Sequence, residues 1–272
     1  MERQEGLVAV VGLGQIGGSI ARRLSAVGHE VIGVDPNAQV LAQAQEVGAI
    51  KVGFGHVEQI RSSVEAIFLA SWPNSILDLL AHPARLPTTK LITDCASIKA
   101  PCEAACDPGI SAFYVGGHPM AGNEGVGFAS SRPDLFQGRA WALCPLTTSP
   151  SEAVDLAVHY VEALGAKPVV MSSEAHDREV ALLSHLPNLL ANLLAILGED
   201  IEHPELAAGT WNGVTRVAGS IPDLWTEILR QNQENLGMRI DDLIALLQQA
   251  RSKSEFESLW QRAAEIKNNQ RW

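Results

Sequence analysis

Leu7-Val8-Ala9-Val10-Val11-Gly12-Leu13-Gly14-Gln15-Ile16-Gly17-Gly18 decides the fold of this 272-residue chain. Five apolar residues in a row, three of them valine, read as a buried strand. The pattern Gly12-x-Gly14-x-x-Gly17 follows at once, and Ser19 to Val27 then carries helical periodicity up to a stop at Gly28-His29. Val31-Ile32-Gly33-Val34 is a second buried strand, closed by Asp35. Strand, glycine turn, helix and strand make one βαβ unit, and that setting gives weight to a glycine pattern that is weak alone. Gly12 permits the tight turn, Gly14 lets a pyrophosphate come close to the backbone, and Gly17 lets the helix pack on the sheet. Gln15 and Ile16 open the helix, where N–H groups and the helix dipole favour an anion. Asp35 can accept from both ribose hydroxyls and would repel a 2′-phosphate, so NAD is expected over NADP. Its alternative role is to cap the helix that starts near Asp35-Pro36. The first cations after Asp35 are Lys51 and Arg61. Whether either folds back over the site stays open.

The alternation continues outward. Asn37 to Val47 is a helix, Ala66 to Ala70 a strand, Ile76 to Leu80 a helix and Leu91 to Asp94 a strand. Phe113 to Gly116, Ala140 to Leu143 and Pro168 to Met171 are further strands, with a helix at Glu152 to Leu164. Strands alternating with helices predict an α/β Rossmann-type doubly wound, mostly parallel sheet. Ligands bind such sheets beyond the C-terminal strand ends. The loops at Gly12, Ser71, Cys95 and Gly117 fall there, which makes Ser71 a cofactor candidate and puts Ser97 and His118 near the reacting end. His118, in Gly116-Gly117-His118-Pro119-Met120-Ala121-Gly122, reads as the residue where a strand opens into a turn; a histidine that merely ends a strand is the plain alternative. From Glu174 onward no strand is expected. Leucines recur at helical spacing, and Pro187 should interrupt the helix near His185. The expected domains are residues 1–173, binding the dinucleotide, and residues 174–272, all α-helical.

Composition narrows the class. The net charge is −11 with no Lys/Arg cluster, which excludes a nucleic-acid footprint. Cys95, Cys102, Cys106 and Cys144 lack a metal-ligand spacing and read as ordinary thiols in a reducing compartment. The opening Met1-Glu2-Arg3-Gln4-Glu5 is polar and unlike a secretory signal. Ala181 to Leu197 is apolar but holds Ser184, His185, Pro187, Asn188 and Asn192, so it reads as a buried helix and not a membrane span. A cytoplasmic enzyme is expected.

The glycine pattern, Asp94-Cys95-Ala96-Ser97-Ile98-Lys99, Gly117-His118-Pro119-Met120-Ala121-Gly122, Ser184-His185-Leu186-Pro187 and Thr215-Arg216-Val217-Ala218 occur in this order. With them the chain resembles the prephenate/arogenate dehydrogenases of tyrosine biosynthesis, from about Val8 to Gln249. The resemblance implies a Rossmann domain followed by a helical dimerisation domain, hence a homodimer. It implies NAD-dependent oxidative decarboxylation of prephenate to 4-hydroxyphenylpyruvate, or of arogenate to tyrosine, the latter with NADP as a possible cofactor. His118 matches the histidine that takes the ring hydroxyl's proton, and Ser97 the serine that supports it. Arg216 matches the arginine that binds a substrate carboxylate, and His185 and Asn188 fall in the substrate motif. Some members read His-Leu-Pro-His where this chain ends in Asn188, an amide that donates but carries no charge. The chemistry suits these residue types: imidazole titrates near neutrality, and a guanidinium donates twice to one carboxylate. Each has a structural alternative: a helix cap for Ser97, a surface ion pair for Arg216, a core histidine for His185. Two other classes remain. Beta-hydroxyacid dehydrogenases and imine reductases share the two-part layout, but the hydroxyacid type relies on a lysine and none occurs from Glu174 to Glu234. A non-catalytic NAD sensor would bind the cofactor without reducing it.

Overall fold

The computed structural model describes residues 6–122 and 125–269. Eight strands form one sheet: β1 (Leu7–Val11), β2 (Glu30–Val34), β3 (Val52–Phe54), β4 (Ala66–Leu69), β5 (Leu91–Asp94), β6 (Tyr114–Pro119), β7 (Ala140–Pro145) and β8 (Lys167–Val170). Their order is β3-β2-β1-β4-β5-β6-β7-β8. All neighbours are parallel except β6 and β7, so β7 and β8 run against the rest. The order reverses between β1 and β4, the switch point at which a dinucleotide crevice opens. Side chains of β1 alternate between two cores. Val8 and Val10 pack with Ile20, Leu24, Tyr160 and Leu164, whereas Ala9 and Val11 pack with Ile67, Ile76, Leu80 and Ile92. Both faces are therefore covered, as a parallel sheet requires.

The helices of this part are α1 (Gln15–Ala26), α2 (Ala38–Glu46), α3 (Pro73–Ala81), α4 (Ala100–Ala105) and α5 (Ser151–Ala163). β3 escapes the periodicity reading: its three residues are too few to show a period of two, whereas the helix expected after Ser97 is present as α4. The reading of His118 as the start of a turn is corrected. β6 runs on to Pro119, and His118 pairs with Ala142 of β7. Parallel pairing of β6 with β5 ends at Val115, so its last residues have only β7 beside them. A proline is tolerated where one edge of a strand is unpaired.

Then come α6 (Ser173–Val180), a π-helical turn at Ala181–His185, α7 (Leu186–Leu197), α8 (Gly209–Thr215), α9 (Pro222–Gln231), α10 (Gln233–Ala250) and α11 (Lys253–Asn269). The π turn lies just before Pro187, which lacks an N–H and crowds the carbonyl four residues back. The chain divides into two compact units. One is Met1–Asp177 with Gly219–Gln231, and the other is Arg178–Ala218 with Asn232–Trp272. This differs from a single break at Ser173. The start of α6 stays with the sheet because the Asp177 carboxylate accepts from the backbone N–H groups of Lys99 and Ala100, at 2.8 Å each.

In the second unit the helix through Leu197 is not buried all round. His185 and Asn188 are buried, but Leu182, Leu183, Leu193, Ile196 and Leu197 are exposed. Ser173–Leu197 is long and apolar enough to cross a membrane by length and composition alone. Two of its buried polar residues, His185 and Asn188, are hydrogen-bonded within this unit. Asn232 Nδ2 lies 3.1 Å from His185 Nδ1, and Asn192 donates to Asn188 Oδ1 at 3.1 Å.

Candidate active site

The glycine turn is built as a dinucleotide cradle. Gly12 has φ +91°, and its N–H donates to Val34 O at 2.7 Å, which tightens the turn. A Cβ at Gly17 would lie 1.8 Å from Gly12 O, so only glycine fits. A Cβ at Gly14 would meet no protein atom within 4 Å. Nothing in the chain demands glycine there, whereas close approach of a pyrophosphate would. No side chain caps α1 at Gly14. The N-terminus of α1 therefore opens at the sheet's C-terminal edge. Gln15 Nε2 reaches across to Gly125 O at 2.9 Å. Ile16 packs its side chain on the core beneath the turn.

Asp35 reaches into the glycine turn, and the cap of α2 falls to its neighbour. Asp35 Oδ2 accepts from Leu13 N at 3.0 Å, inside the glycine turn, and its Oδ1 from Asn37 N at 2.9 Å. The cap of α2 is Asn37, whose side chain accepts from Gln39 N. Lys51 pairs with Glu30 at the far end of β2 and is remote from Asp35. Ser71 sits against Gly12, for a Cβ there would lie 2.8 Å from Ser71 Cα. Ser71 Oγ is buried and has no hydrogen-bond partner among the described residues. An orphan hydroxyl beside an open glycine turn, with a fixed carboxylate across it, fits an adenine dinucleotide.

The strand that ends just after His118 runs into a loop that meets this cradle. A Cβ at Gly122 would lie 3.5 Å from Gln15 Oε1, and Gly125 takes the Gln15 hydrogen bond. The imidazole is buried, and its Nδ1 lies 2.9 Å from His176 Nε2. His176 Nδ1 is in turn 2.7 Å from Asp177 Oδ1. Neither His176 nor Asp177 stands out in the sequence; the only signal is a titratable pair just ahead of an apolar helix. Ser97 is half-buried in the loop after β5, and no hydrogen bond joins it to His118 among the described residues.

Beneath this loop lies an ion pair taken out of water. Lys99 Nζ donates to Asp94 Oδ1 and to Gly117 O, the carbonyl just before His118. Asp94 also accepts from Tyr114 Oη at 2.7 Å, from Ala96 N at 2.8 Å and from Gly117 N at 3.3 Å. Burial pulls the Lys99 ammonium down, but Asp94, together with Cys102 and Cys144, more than offsets this and holds it above the ordinary lysine value. Burial, with Asp94 next, pushes the Tyr114 phenol well up. All four cysteines are free thiols. Burial raises Cys144 to about 12 and Cys106 to about 11, and pushes Cys95 and Cys102 up further. None is a nucleophile near neutrality. Among the described residues no group of three or more His, Cys, Asp or Glu could hold a metal ion.

The second unit holds the remaining candidates. His185 is fully buried, and its bond to Asn232 is the one expected of a core histidine. Asn188 is oriented by Asn192, one turn on. Arg216 is exposed at the C-terminal cap of α8.

Among known proteins, residues 20–170 match the family model described as prephenate dehydrogenase, nucleotide-binding domain. Residues 172–260 match the model described as prephenate dehydrogenase, dimerization domain. Prephenate dehydrogenase of Bacillus subtilis (strain 168) is 29% identical over 277 residues, covering 94% of this chain and 72% of the relative. The structure of prephenate dehydrogenase from Aquifex aeolicus in complex with hydroxyphenyl propionate and NAD+ is similar at TM-score 0.85 and 25% identity, over 98% of each chain. Synechocystis arogenate dehydrogenase is similar at TM-score 0.74 and 25% identity, over 96% of this chain and 99% of that one.

Proposed function

We propose, for a chain that belongs to the prephenate dehydrogenase family, the NAD-dependent oxidative decarboxylation of prephenate to 4-hydroxyphenylpyruvate. The observation that carries this reading is the two-part family match along one chain that also presents a dinucleotide cradle and a buried histidine whose following loop meets it. Relatives named for prephenate support that substrate over arogenate, and the Aquifex complex supports NAD.

The residues would divide the work as follows. Gly12, Gly14, Gln15, Ile16 and Gly17 receive the pyrophosphate, Asp35 the ribose hydroxyls, and Ser71 lends its hydroxyl at the switch point. NAD, when bound, supplies the acceptor for the hydride that leaves the ring carbinol carbon. His118 takes the hydroxyl proton as the carbon–oxygen bond becomes a carbonyl. The bond from the ring to its carboxylate then breaks, carbon dioxide leaves, and the electron pair enters the ring. The oxygen becomes a phenolate and recovers the proton that His118 holds, so the cycle leaves no net charge on the histidine. Ser97 donates to the same oxygen, Arg216 pairs with a substrate carboxylate, and Asn188 donates to the side chain, with His185 beside it. The protein works as a homodimer in the cytoplasm, its apolar helical face covered by a second copy. The match to a dimerization domain and the exposed leucines support the homodimer.

The test is absorbance of reduced nicotinamide with prephenate and with arogenate, each against NAD and NADP. Prephenate with NAD should give the highest kcat/KM. Faster turnover of arogenate would transfer the reading to the other substrate, and NAD binding without any reduction would make the protein a sensor.

A further inference from the structure

We infer that His176 and Asp177 are positioning residues that set the tautomer and orientation of His118. The inference rests on the reading of His118 as the proton acceptor. Asp177 is 2% exposed and its carboxylate is fixed at both oxygens, Oδ1 by Lys99 N and Oδ2 by Ala100 N, at 2.8 Å each. A carboxylate only accepts, so the 2.7 Å contact to His176 Nδ1 places a proton on that nitrogen. In neutral His176 the lone pair is then on Nε2. His118 Nδ1, 2.9 Å away, must donate to it. The rings meet edge to face, 5.1 Å apart at 71°, which suits an N–H directed into a ring-plane lone pair. With its proton on Nδ1, His118 carries its own lone pair on Nε2. That nitrogen is the one able to take a hydroxyl proton.

The chain of three thus does for this histidine what a third group does for any general base: it selects the tautomer and fixes the ring. When Nε2 gains a proton, His118 becomes an imidazolium whose Nδ1–H still points at an acceptor, backed by the buried negative charge of Asp177. The same carboxylate grips the two backbone N–H groups that follow the Ser97 loop. One side chain therefore ties that loop and the imidazole together. His118 and His176 are 58 positions apart, and both belong to the unit that contains the sheet.

Three variants and one spectrum test this. Asp177→Asn turns an acceptor into a group able to donate to His176 Nδ1, which would reverse both tautomers. Its kcat should fall on the order of 10²–10⁴-fold, with KM for either substrate changed less than about threefold. His176→Leu should fall similarly. His176→Gln keeps an amide N–H for Asp177 and an oxygen for His118 Nδ1–H, and should recover to within about tenfold of the parent. Nitrogen-15 spectra of the imidazoles in the unmodified protein need no variant to fold. They should show His118 as the Nδ1–H tautomer. His118 as the Nε2–H tautomer, or a His176→Leu enzyme with undiminished kcat while His118→Asn is inactive, would overturn the inference. Undiminished kcat in His118→Asn itself would strike the reading of His118, and the spectrum would still judge the tautomer.

Discussion

Replacing Asp35 with serine and Ala38 with arginine should turn cofactor preference from NAD to NADP. The Asp35 carboxylate is held by two backbone N–H groups, Leu13 at 3.0 Å and Asn37 at 2.9 Å, so it is in place before a cofactor arrives. A 2′-phosphate would bring negative charge against it. Two like unit charges about 5 Å apart cost roughly 3 kcal/mol at an effective dielectric near 20. Asp35 is partly exposed, and salt and water reduce this to about 1–3 kcal/mol, or about 10–100-fold in kcat/KM. Lys51 offers no relief, since it pairs with Glu30 at the opposite end of β2. Arginine belongs at Ala38, the exposed first residue of α2, and not at Asn37, whose side chain caps that helix. Losing that cap would cost about 1 kcal/mol. Serine forfeits at least one of the two backbone bonds, for about 1 kcal/mol and a Tm lower by a few degrees. The assay is kcat/KM for NAD and NADP in the parent, Asp35→Ser and the double variant. A parent that uses NADP as well as NAD, or an Asp35→Ser enzyme with an unchanged ratio, would refute the electrostatic reasoning.

Four other outcomes follow from the same geometry. His118→Asn should lower kcat about 10²–10⁴-fold while NAD and prephenate still bind by calorimetry. Arg216→Ala should act mainly on KM for prephenate, raising it by the equivalent of about 2–4 kcal/mol, with circular dichroism unchanged. Lys99→Met leaves Asp94 buried without its counter-charge and should cost about 3–5 kcal/mol in urea unfolding, most of it recovered in Asp94→Asn/Lys99→Met. Because the folded Lys99 value lies above the ordinary one, the pair's contribution is complete below about pH 10.4 and is lost only as pH rises through that raised value. A urea midpoint that fell between pH 7 and 9 because of this pair would contradict it. Light scattering at micromolar concentration should give twice the chain mass, and aspartate at both Ile196 and Leu197, each exposed on α7, should shift it toward one.

What the sequence discloses is what local stereochemistry dictates. Gly12 and Gly17 announce themselves because no other residue meets φ +91° or a 1.8 Å clash, and both conditions arise within a few residues. Strands buried on both faces are equally legible, since they need no partner to look apolar. The three-residue β3 carries too little pattern to read. The antiparallel β7 and β8 were legible as strands but not in direction, because direction depends on pairing with β6. Asp35 gives two readings because a ribose acceptor and a helix cap call for the same carboxylate; that Asn37 is the cap, and that Asp35 turns to Leu13 N 22 positions back, is not written in its own neighbourhood.

The candidate site shows the same division more sharply. His118 is visible through its glycine and proline neighbours, yet those neighbours suggest a turn, and the histidine in fact lies in a strand held by β7. It lies within hydrogen-bond reach of His176 and not of Ser97, and no local motif pairs the two histidines. It depends on Asp177 finding the N–H groups of Lys99 and Ala100, 78 and 77 positions away. His185 is a parallel case, for Asn232 lies 47 positions on. Motif reading identifies a general base by its residue type. The tautomer, which decides whether that base can accept a proton at Nε2, is a property of long-range partners. On the proposed reading, the histidine motif marks where the proton is taken, while the acceptor–donor order from Asp177 through His176 selects the nitrogen that takes it.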